Sequence, residues 1–343
     1  MTNNLPVRID AIDWMKGLCI TSIVFLHIED GVLPNWLNRF IGLFMISGFY
    51  VTSGWLHGLK PTSSINLREF SKRRFKSIGV PYLWFTGIIL LFDVFFCVVG
   101  HYTWFMLFRD AYKAVVLRGI GTLWFLPVLF FGELLFVTCR KFNKFHAGMA
   151  IAFIGILITD YVMNLVSTNI AGMKSEIILA PLKMVHQSMR AWLIISISCM
   201  VSMMTMKANW QGHKRWIGVA MSCLTLALFI FFCYKGQYWD ASYNNAVGFF
   251  ANILGPLSIL FVLIAIKTSN VVLNYLRYWG KNSIILMTVH YSILMELIIW
   301  LYTSAMGYPP YGWITLVCFV AIMLLQYPIA EFINRKCKYI IGR

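Results

Sequence analysis

Long apolar runs, separated by shorter polar connections, make up most of the chain. Ten runs stand out, with edges good to a few residues, at 12–28, 39–58, 78–99, 121–138, 147–165, 190–206, 217–234, 247–266, 283–303 and 312–333. A helix needs about 20 apolar residues to cross a bilayer, and these runs lack the alternation of barrel strands. Because a helix satisfies its own backbone hydrogen bonds inside a bilayer, the pattern predicts an all-α integral membrane protein with about ten transmembrane helices.

Composition excludes the other broad classes of protein. Of 343 residues, 59% are apolar and 12% are charged, whereas soluble domains carry about 25% charged residues. We therefore expect neither a soluble enzyme, nor a disordered protein, nor a secreted disulfide scaffold. The apolar runs leave no room for a large soluble domain, so residues 1–343 are predicted to form a single transmembrane domain. No small-residue cleavage signature follows the first run, and a removed signal peptide is not expected.

The charge distribution predicts the topology. The net charge of +16 would suit a nucleic-acid partner, but it is explained equally well by an excess of basic residues in cytoplasmic connections. With the N-terminus inside, 21 of the 29 basic residues fall on the cytoplasmic side and 8 outside. This split favours a multi-pass protein of ten spans with both termini in the cytoplasm and membrane lipids as neighbours, and it accounts for the net charge without a nucleic-acid partner. The longest outside connections are then 100–120, 166–189 and 235–246.

The sequence contains no metal-binding pattern. The eight cysteines form no C-x-x-C pair, and all but Cys337 lie in or beside apolar runs. They are interpreted as small core residues rather than as disulfides or zinc ligands. We find no H-E-x-x-H, no G-x-S-x-G, no carboxylate cluster and no glycine-rich phosphate loop, so no metal is predicted.

The first apolar run contains two ionisable residues on one helix face. His27 lies near its outer end, and Lys16 precedes it by eleven residues, which is about three helical turns or roughly 16 Å. Asp13 lies one turn before Lys16 and is placed to pair with it. Ionisable residues within spans commonly mark functional sites. The structural alternative is that Lys16 reaches the inner headgroups and that His27 is an interfacial histidine.

Two further segments each allow a structural and a functional interpretation. Small residues recur through 42–56, including Ser47, and favour close helix packing or room for a thin acyl chain beside His27. The aromatic and polar connection 235–246 is typical of sugar stacking, but also of a membrane interface.

A dense basic run precedes Pro81 at the predicted cytoplasmic surface. Its members are Arg68, Lys72, Arg73, Arg74 and Lys76. Such a cluster suits either the phosphates of a nucleotide cofactor or anionic lipid headgroups.

Other polar residues lie alone within apolar runs. They are Asp93, Glu133, His290 and Glu296. Each by itself is more typical of an interhelical hydrogen bond than of a catalyst. The six-residue spacing puts His290 and Glu296 on nearly opposite faces of a helix, so they need not act together.

Taken together and in order, five blocks resemble the acyltransferase 3 family of bacterial membrane acyltransferases, most closely its sugar O-acetyltransferase branch. The blocks are RIDAIDWMKGLCITSIVFLH, FMISGFYVTSGW, KRRFKSIGVPYLWF, GTLWFLPVLFFGELLF and WGKNSIILMTVHYSI. The resemblance implies transfer of an acyl group, usually acetyl, from acyl-CoA to a hydroxyl of a cell-surface or lipid-linked glycan. His27 matches the family's histidine, and Lys16 stands where the family usually has arginine. The motif of a basic run followed by proline matches at Arg74 and Pro81, while Ser77 replaces a common basic residue.

The resemblance assigns roles to the candidate residues. His27 is expected to be the general base that activates the sugar hydroxyl, and Ser47 or Trp124 the oxyanion donor. The basic residues Arg73, Arg74 and Lys76 are expected to hold the phosphates of acetyl-CoA or another acyl-CoA, whose pantetheine arm threads the bundle. The remaining candidates support the catalytic site; they are Lys16, Asp13, Glu133 and His290.

Two other classes of function remain open at this point. One is a transporter or exporter of a sugar or lipid-linked sugar, which would more often show paired halves with broken helices; no convincing internal repeat is found. The other is a structural membrane protein without activity.

The topology can be tested by cysteine labelling of whole cells. Because the 21:8 basic split places 59–77 inside and 235–246 outside, an impermeant maleimide should modify Asp240→Cys and leave Thr62→Cys unmodified. The parent protein, with its native cysteines only, measures the background. Labelling of Thr62→Cys in intact cells would contradict this topology.

Overall fold

The computed structural model describes residues 9–61, 66–207, 215–235, 246–266 and 268–343. Over these ranges all regular secondary structure is helical, which confirms the all-α prediction. Nine helical segments in them are long and apolar enough to cross a membrane: Asp10–Ile28, Asn35–Gly58, Leu67–Val98, Gly121–Lys141, Phe145–Asn169, Met173–Thr205, Gly248–Ala265, Ser283–Met306 and Trp313–Lys336. A further helix, Arg215–Lys235, covers the remaining predicted run, 217–234.

The helices are numbered in chain order. They are α1 Asp10–Ile28, α2 Asn35–Met45, α3 Ser47–Gly58, α4 Leu67–Arg74, α5 Val80–Val98, α6 Trp104–Val115, α7 Phe125–Lys141, α8 Phe145–Asn169, α9 Met173–Lys207, α10 Arg215–Lys235, α11 Ala246–Ala265, α12 Val271–Lys281, α13 Ser283–Val289, α14 Glu296–Met306 and α15 Trp313–Lys336. Short π-helical segments, Phe75–Gly79 and His290–Met295, join α4 to α5 and α13 to α14. Two 3₁₀ turns, Gly121–Trp124 and Lys338–Ile341, precede α7 and follow α15.

The predicted connection at 166–189 is almost entirely helical. α8 runs to Asn169 and α9 begins at Met173, so only 170–172 separate them, with Gly172 at φ +68°. The hydropathy of this stretch is lowered by Lys174, Glu176 and Lys183, yet the helix continues through them. Connection 100–120 likewise contains the helix α6. The polar residues 236–245 of the third connection lie outside the described residues.

The first helix packs in very close contact with α12. A Cβ atom at Gly17 would lie 1.9 Å from Leu276 O, and one at Gly280 would lie 1.9 Å from Asp13 O. These pairings show that α12 runs antiparallel to α1, and only glycine lets the two backbones approach this closely. Arg277 Nη2 donates to Asp10 Oδ2 at 2.9 Å across the same contact.

The chain reverses at Asn282, so that α13 runs back along α1. The Asn282 amide Nδ2 donates to Tyr278 O at 3.1 Å, and its Oδ1 accepts from Asn334 Nδ2 of α15 at 2.8 Å. These bonds satisfy the polar side chain at the reversal. α12 therefore carries the chain to the start of α1, and α13 carries it back toward the end of α1.

The small residues of 42–56 pack against neighbouring helices. A Cβ at Gly48 would lie 2.3 Å from Cys19 Sγ of α1, and one at Gly54 would lie 2.3 Å from Ile195 O of α9. Farther along, the Ser198 and Ser202 hydroxyls of α9 donate to backbone carbonyls of α3 at 2.7 and 3.0 Å. The packing interpretation is confirmed at these positions. Room for an acyl chain in this segment stays a prediction.

The described cysteines fit the prediction of small core residues in part. Cys19, Cys97, Cys199 and Cys318 are buried and free, whereas Cys223 is exposed.

The C-terminal residues pack against the basic run. A Cβ at Gly342 would lie 1.7 Å from Lys76 O, and the Trp84 and Tyr339 rings lie 5.5 Å apart. Asp13 and Lys16 at the start of α1 line one cavity together with Ile341 and Arg343, so the start of α1 and the end of the chain meet at one end of the bundle. Which side of the membrane this end faces stays a prediction.

Candidate active site

The hydrogen-bond partner of His27 assigns the tautomer of its neutral ring. This half-buried residue lies in the last turn of α1, where its Nδ1 is 2.7 Å from Ile23 O. A carbonyl oxygen only accepts hydrogen bonds, so the ring hydrogen must be on Nδ1. The lone pair of His27 Nε2 therefore remains available to take a proton.

His290 lies directly beside His27, although the two are far apart in sequence. Their ring centroids are 5.2 Å apart, and His290 Nε2 is 3.4 Å from His27 Nδ1. His290 is 1% exposed, and its own Nδ1–H donates to Leu286 O at 2.7 Å. Its Nε2 is consequently an acceptor, so His27 Nδ1–H is shared between Ile23 O and His290 Nε2. This arrangement stabilises positive charge on the His27 ring more than a single carbonyl would.

A π-helical segment and a 3₁₀ turn hold the histidine pair in place. His290 begins the π-helix His290–Met295, a backbone feature that recurs at functional sites. The Thr122 hydroxyl donates to Met287 O at 2.6 Å. A Cβ atom at Gly121, whose φ is +50°, would lie 2.3 Å from Ser292 Oγ. The Tyr291 ring lies 4.8 Å from the His27 ring. The block WGKNSIILMTVHYSI pointed to this region, but no sequence pattern linked it to His27.

Glu29 orders the segment that follows His27. Its Oε1 accepts from the backbone N–H groups of Val32 and Leu33 at 2.8 and 2.7 Å, and its Oε2 accepts from Asn38 Nδ2 at 2.6 Å. The carboxylate therefore ties the end of α1 to α2.

A cationic cavity lies at the opposite end of α1. Its volume is about 220 Å³, and its lining includes Lys16, Lys281, Arg343 and the carboxylate residue Asp13. Three cationic side chains against one side-chain carboxylate make it suitable for an anion. Sequence reasoning identified Lys16 and Asp13 but missed the other two. Lys281 lies within a family-like block, whereas Arg343 is the last residue and carries no recognisable signal.

Glu133 and Arg74 form an ion pair within the bundle. Glu133 of α7 is fully buried, and its Oε1 accepts from Arg74 Nη2 at 2.5 Å and from the Ser53 hydroxyl of α3. Glu133 Oε2 has no hydrogen-bond partner among the described residues. The pair joins α3, α7 and the basic run, and gives Glu133 a charge partner that its place in the sequence did not reveal.

The basic run is therefore divided between the interior and the surface. Arg74 points inward to Glu133, while Arg73 lies exposed, 3.8 Å from Glu69, and Lys76 is exposed. The assignment of these three residues to an acyl-CoA site stays a prediction.

The predicted oxyanion donors have other partners in the structure. The Ser47 hydroxyl, at the start of α3, donates to Leu43 O in the last turn of α2 at 3.0 Å. The Trp124 ring packs under the Arg118 guanidinium at 5.4 Å. Their role in the reaction stays a prediction. Within the described ranges, no group of three His, Cys, Asp or Glu residues is arranged to hold a metal ion.

Comparison with known protein families gives one match. The model of the acyltransferase 3 family, described as an acyltransferase domain, matches residues 9–330. The match covers α1 through most of α15 and includes His27, Arg74, Glu133 and His290. No curated protein and no solved structure gives a significant match.

The ion pair between the partly exposed Arg74 and the buried Glu133 predicts a rescue by double substitution. Arg74→Leu leaves the Glu133 carboxylate buried without its cation, which should cost about 3–5 kcal/mol of unfolding free energy. Adding Glu133→Leu removes the unpaired charge and should restore much of the loss. Thermal unfolding of the purified protein in detergent measures both effects.

The exposed neighbour Arg73 provides the matched control for this test. Arg73→Leu should change the unfolding free energy by no more than about 0.5 kcal/mol, because its pair with Glu69 is solvent-exposed. Equal destabilisation by Arg73→Leu and Arg74→Leu would show that the pair has no special structural role.

Proposed function

Since the chain belongs to the acyltransferase 3 family, and is thus a membrane acyltransferase, we propose that it moves an acetyl or other acyl group from acyl-CoA to a hydroxyl of a cell-surface or lipid-linked glycan in the bacterial inner membrane. The observation that carries this proposal is the hydrogen bonding of the His27 imidazole. Its Nδ1–H donates to Ile23 O and His290 Nε2, which leaves Nε2 unprotonated in the neutral ring.

In the proposed reaction His27 transfers a single proton. Its Nε2 takes the proton of the acceptor hydroxyl as the hydroxyl oxygen attacks the thioester carbonyl carbon. The C–S bond of the tetrahedral intermediate then breaks, and the leaving thiolate takes the proton back from Nε2. The two acceptors at Nδ1–H stabilise the imidazolium that exists between these steps, which is the function of an orienting group beside a catalytic histidine.

The cationic cavity supports the donor side of the proposal. Lys16, Lys281 and Arg343 line it, and Ser77 connects it to the basic run. Lys16 lies about 16 Å along the helix axis from His27, given the rise per residue of an α-helix. In this proposal the phosphates of acyl-CoA bind at the cavity and the thioester reaches His27 through the bundle, so coenzyme A itself need not cross the membrane.

His27→Ala tests the proposed base. A general base contributes about 10²–10⁴-fold in rate, so the variant should lose at least 99% of transfer from radiolabelled acetyl-CoA to surface glycan. Membrane abundance and the thermal unfolding temperature should remain near wild type. The exposed His146→Ala variant is the matched control and should transfer normally.

His290→Ala should reduce transfer less than His27→Ala, because His290 supports the base and does not itself take the proton. Retention of more than about a tenth of wild-type transfer by well-expressed His27→Ala would refute the base assignment.

Lys281→Gln tests the donor cavity. Loss of one charge-assisted phosphate contact, worth about 1.5–3 kcal/mol, should raise the apparent KM for acetyl-CoA by roughly 10- to 100-fold and change kcat little. With S-acetyl-pantetheine, which has no phosphate, the variant and wild type should react alike. Lys144→Gln, an exposed lysine outside the cavity, is the control. An unchanged KM for acetyl-CoA would remove Lys281 from the donor site.

A further inference from the structure

A second polar cavity, of about 660 Å³, opens between α8 and α9. Six of its lining residues carry the argument: Arg118, Asp160, Asn164, Lys183, His186 and Gln187. We propose that this cavity binds the sugar of the acyl acceptor, and that this sugar carries an anionic group, a phosphate or a carboxylate. The identification of the bound sugar as the acceptor rests on the proposed function, whereas binding of an anionic sugar is tested independently of it.

The cavity is connected to the histidine pair through one short turn. Arg118 lines the cavity and packs over the Trp124 ring at 5.4 Å. Trp124 ends the 3₁₀ turn whose Thr122 hydroxyl binds Met287 O, three residues before His290. The cavity therefore lies at the His27 end of α1, while the cationic donor cavity lies at the other end.

Hydrogen bonding at His186 leaves an acceptor facing the cavity. Thr159 donates its hydroxyl hydrogen to Gly155 O at 2.7 Å, so its oxygen accepts from His186 Nδ1–H at 2.8 Å. His186 Nε2 is then a lone-pair acceptor. It lies 3.8 Å from Asp160 Oδ1 and has no hydrogen-bond partner among the described residues, although the side chain is only 3% exposed.

The unsatisfied groups of the cavity require donors. Two buried acceptor atoms of the cavity, His186 Nε2 and Gln187 Oε1, have no hydrogen-bond partner among the described residues, and the partly exposed Asp160 carboxylate is a further acceptor. A buried polar atom left without a hydrogen bond costs about 1–3 kcal/mol. The hydroxyl groups of a sugar supply several donors in fixed positions, which matches this group of acceptors.

The charges of the cavity favour an anion on that sugar. Arg118 and Lys183 provide two cations against the single carboxylate of Asp160. An arginine fork binds phosphate or carboxylate oxygens in a bidentate manner. The side of α8 that faces away from the bundle is apolar, with Ile154 and Leu157 exposed. An acceptor tethered to a lipid can therefore approach the cavity from the membrane.

Saturation-transfer NMR on the purified full-length protein in detergent tests the binding directly. The probes are glucose 1-phosphate, glucuronate, glucose and glycerol 1-phosphate, the last representing a lipid headgroup. We expect saturation of the sugar protons of glucose 1-phosphate and glucuronate, and markedly weaker saturation of glucose and glycerol 1-phosphate. Equal signals from glycerol 1-phosphate would identify a headgroup site and overturn the proposal, and equal signals from glucose would overturn the anionic requirement.

A matched pair of tryptophan substitutions locates the binding. Ser167 lines the cavity, whereas the adjacent Thr168 does not, and both are exposed on α8, so neither change disturbs the core. Ser167→Trp should abolish the glucose 1-phosphate signal and Thr168→Trp should retain it. His186→Gln, which replaces the acceptor nitrogen with an amide, should weaken the signal. An unchanged signal in Ser167→Trp would place binding elsewhere and overturn the proposal.

Transfer assays separate the two proposals. Ser167→Trp should also lose transfer to surface glycan, while Thr168→Trp should transfer normally. A wild-type protein that binds glucose 1-phosphate in this cavity but neither hydrolyses acetyl-CoA or longer acyl-CoA nor transfers their acyl groups would support the sugar site and refute the acyltransferase mechanism. Normal transfer by Ser167→Trp would refute the acceptor assignment and leave the function intact.

Discussion

The close contact between α1 and α12 is the constraint on which the rest of the site depends. Gly17 and Gly280 let the two backbones touch, so α12 lies antiparallel along the first half of α1. The reversal at Asn282 then sends α13 back along α1, and the π-helix that follows brings His290 to His27. The same contact places Lys281, at the end of α12, beside Lys16. Two glycines thus position both ends of the candidate site.

Several buried polar groups near the candidate site have specific partners, which lowers the cost of placing them in an apolar environment. His27 and His290 each donate Nδ1–H to a carbonyl four residues earlier in the chain, which leaves both Nε2 atoms as acceptors. Glu133 has Arg74 and Ser53 as partners. Replacing an ion pair by apolar residues is often neutral for stability, so the presence of this pair is better explained by the position it gives the basic run than by stability alone.

The arrangement of the two cavities suits a transfer reaction between two sides of a membrane. One cavity, with Lys16, Lys281 and Arg343, lies at the start of α1, and the other connects through Trp124 to the histidines at its end. In the proposed function, a phosphate-bearing donor and an anionic sugar approach the same imidazole from opposite ends.

The all-helical class, most helix positions and the candidacy of His27 with Lys16 were predictable from the sequence. These properties depend on apolar run length and on the period of a single helix, which are local. The sequence did not predict that α9 begins at Met173, because charged residues near its start lower the hydropathy of a segment that is nevertheless helical. Neither did it pair His290 with His27, 263 residues away, or Arg74 with Glu133, or bring Lys281 and Arg343 to Lys16. Such pairings depend on how separate helices pack, and helix packing is decided by side-chain fit between segments that no local pattern connects.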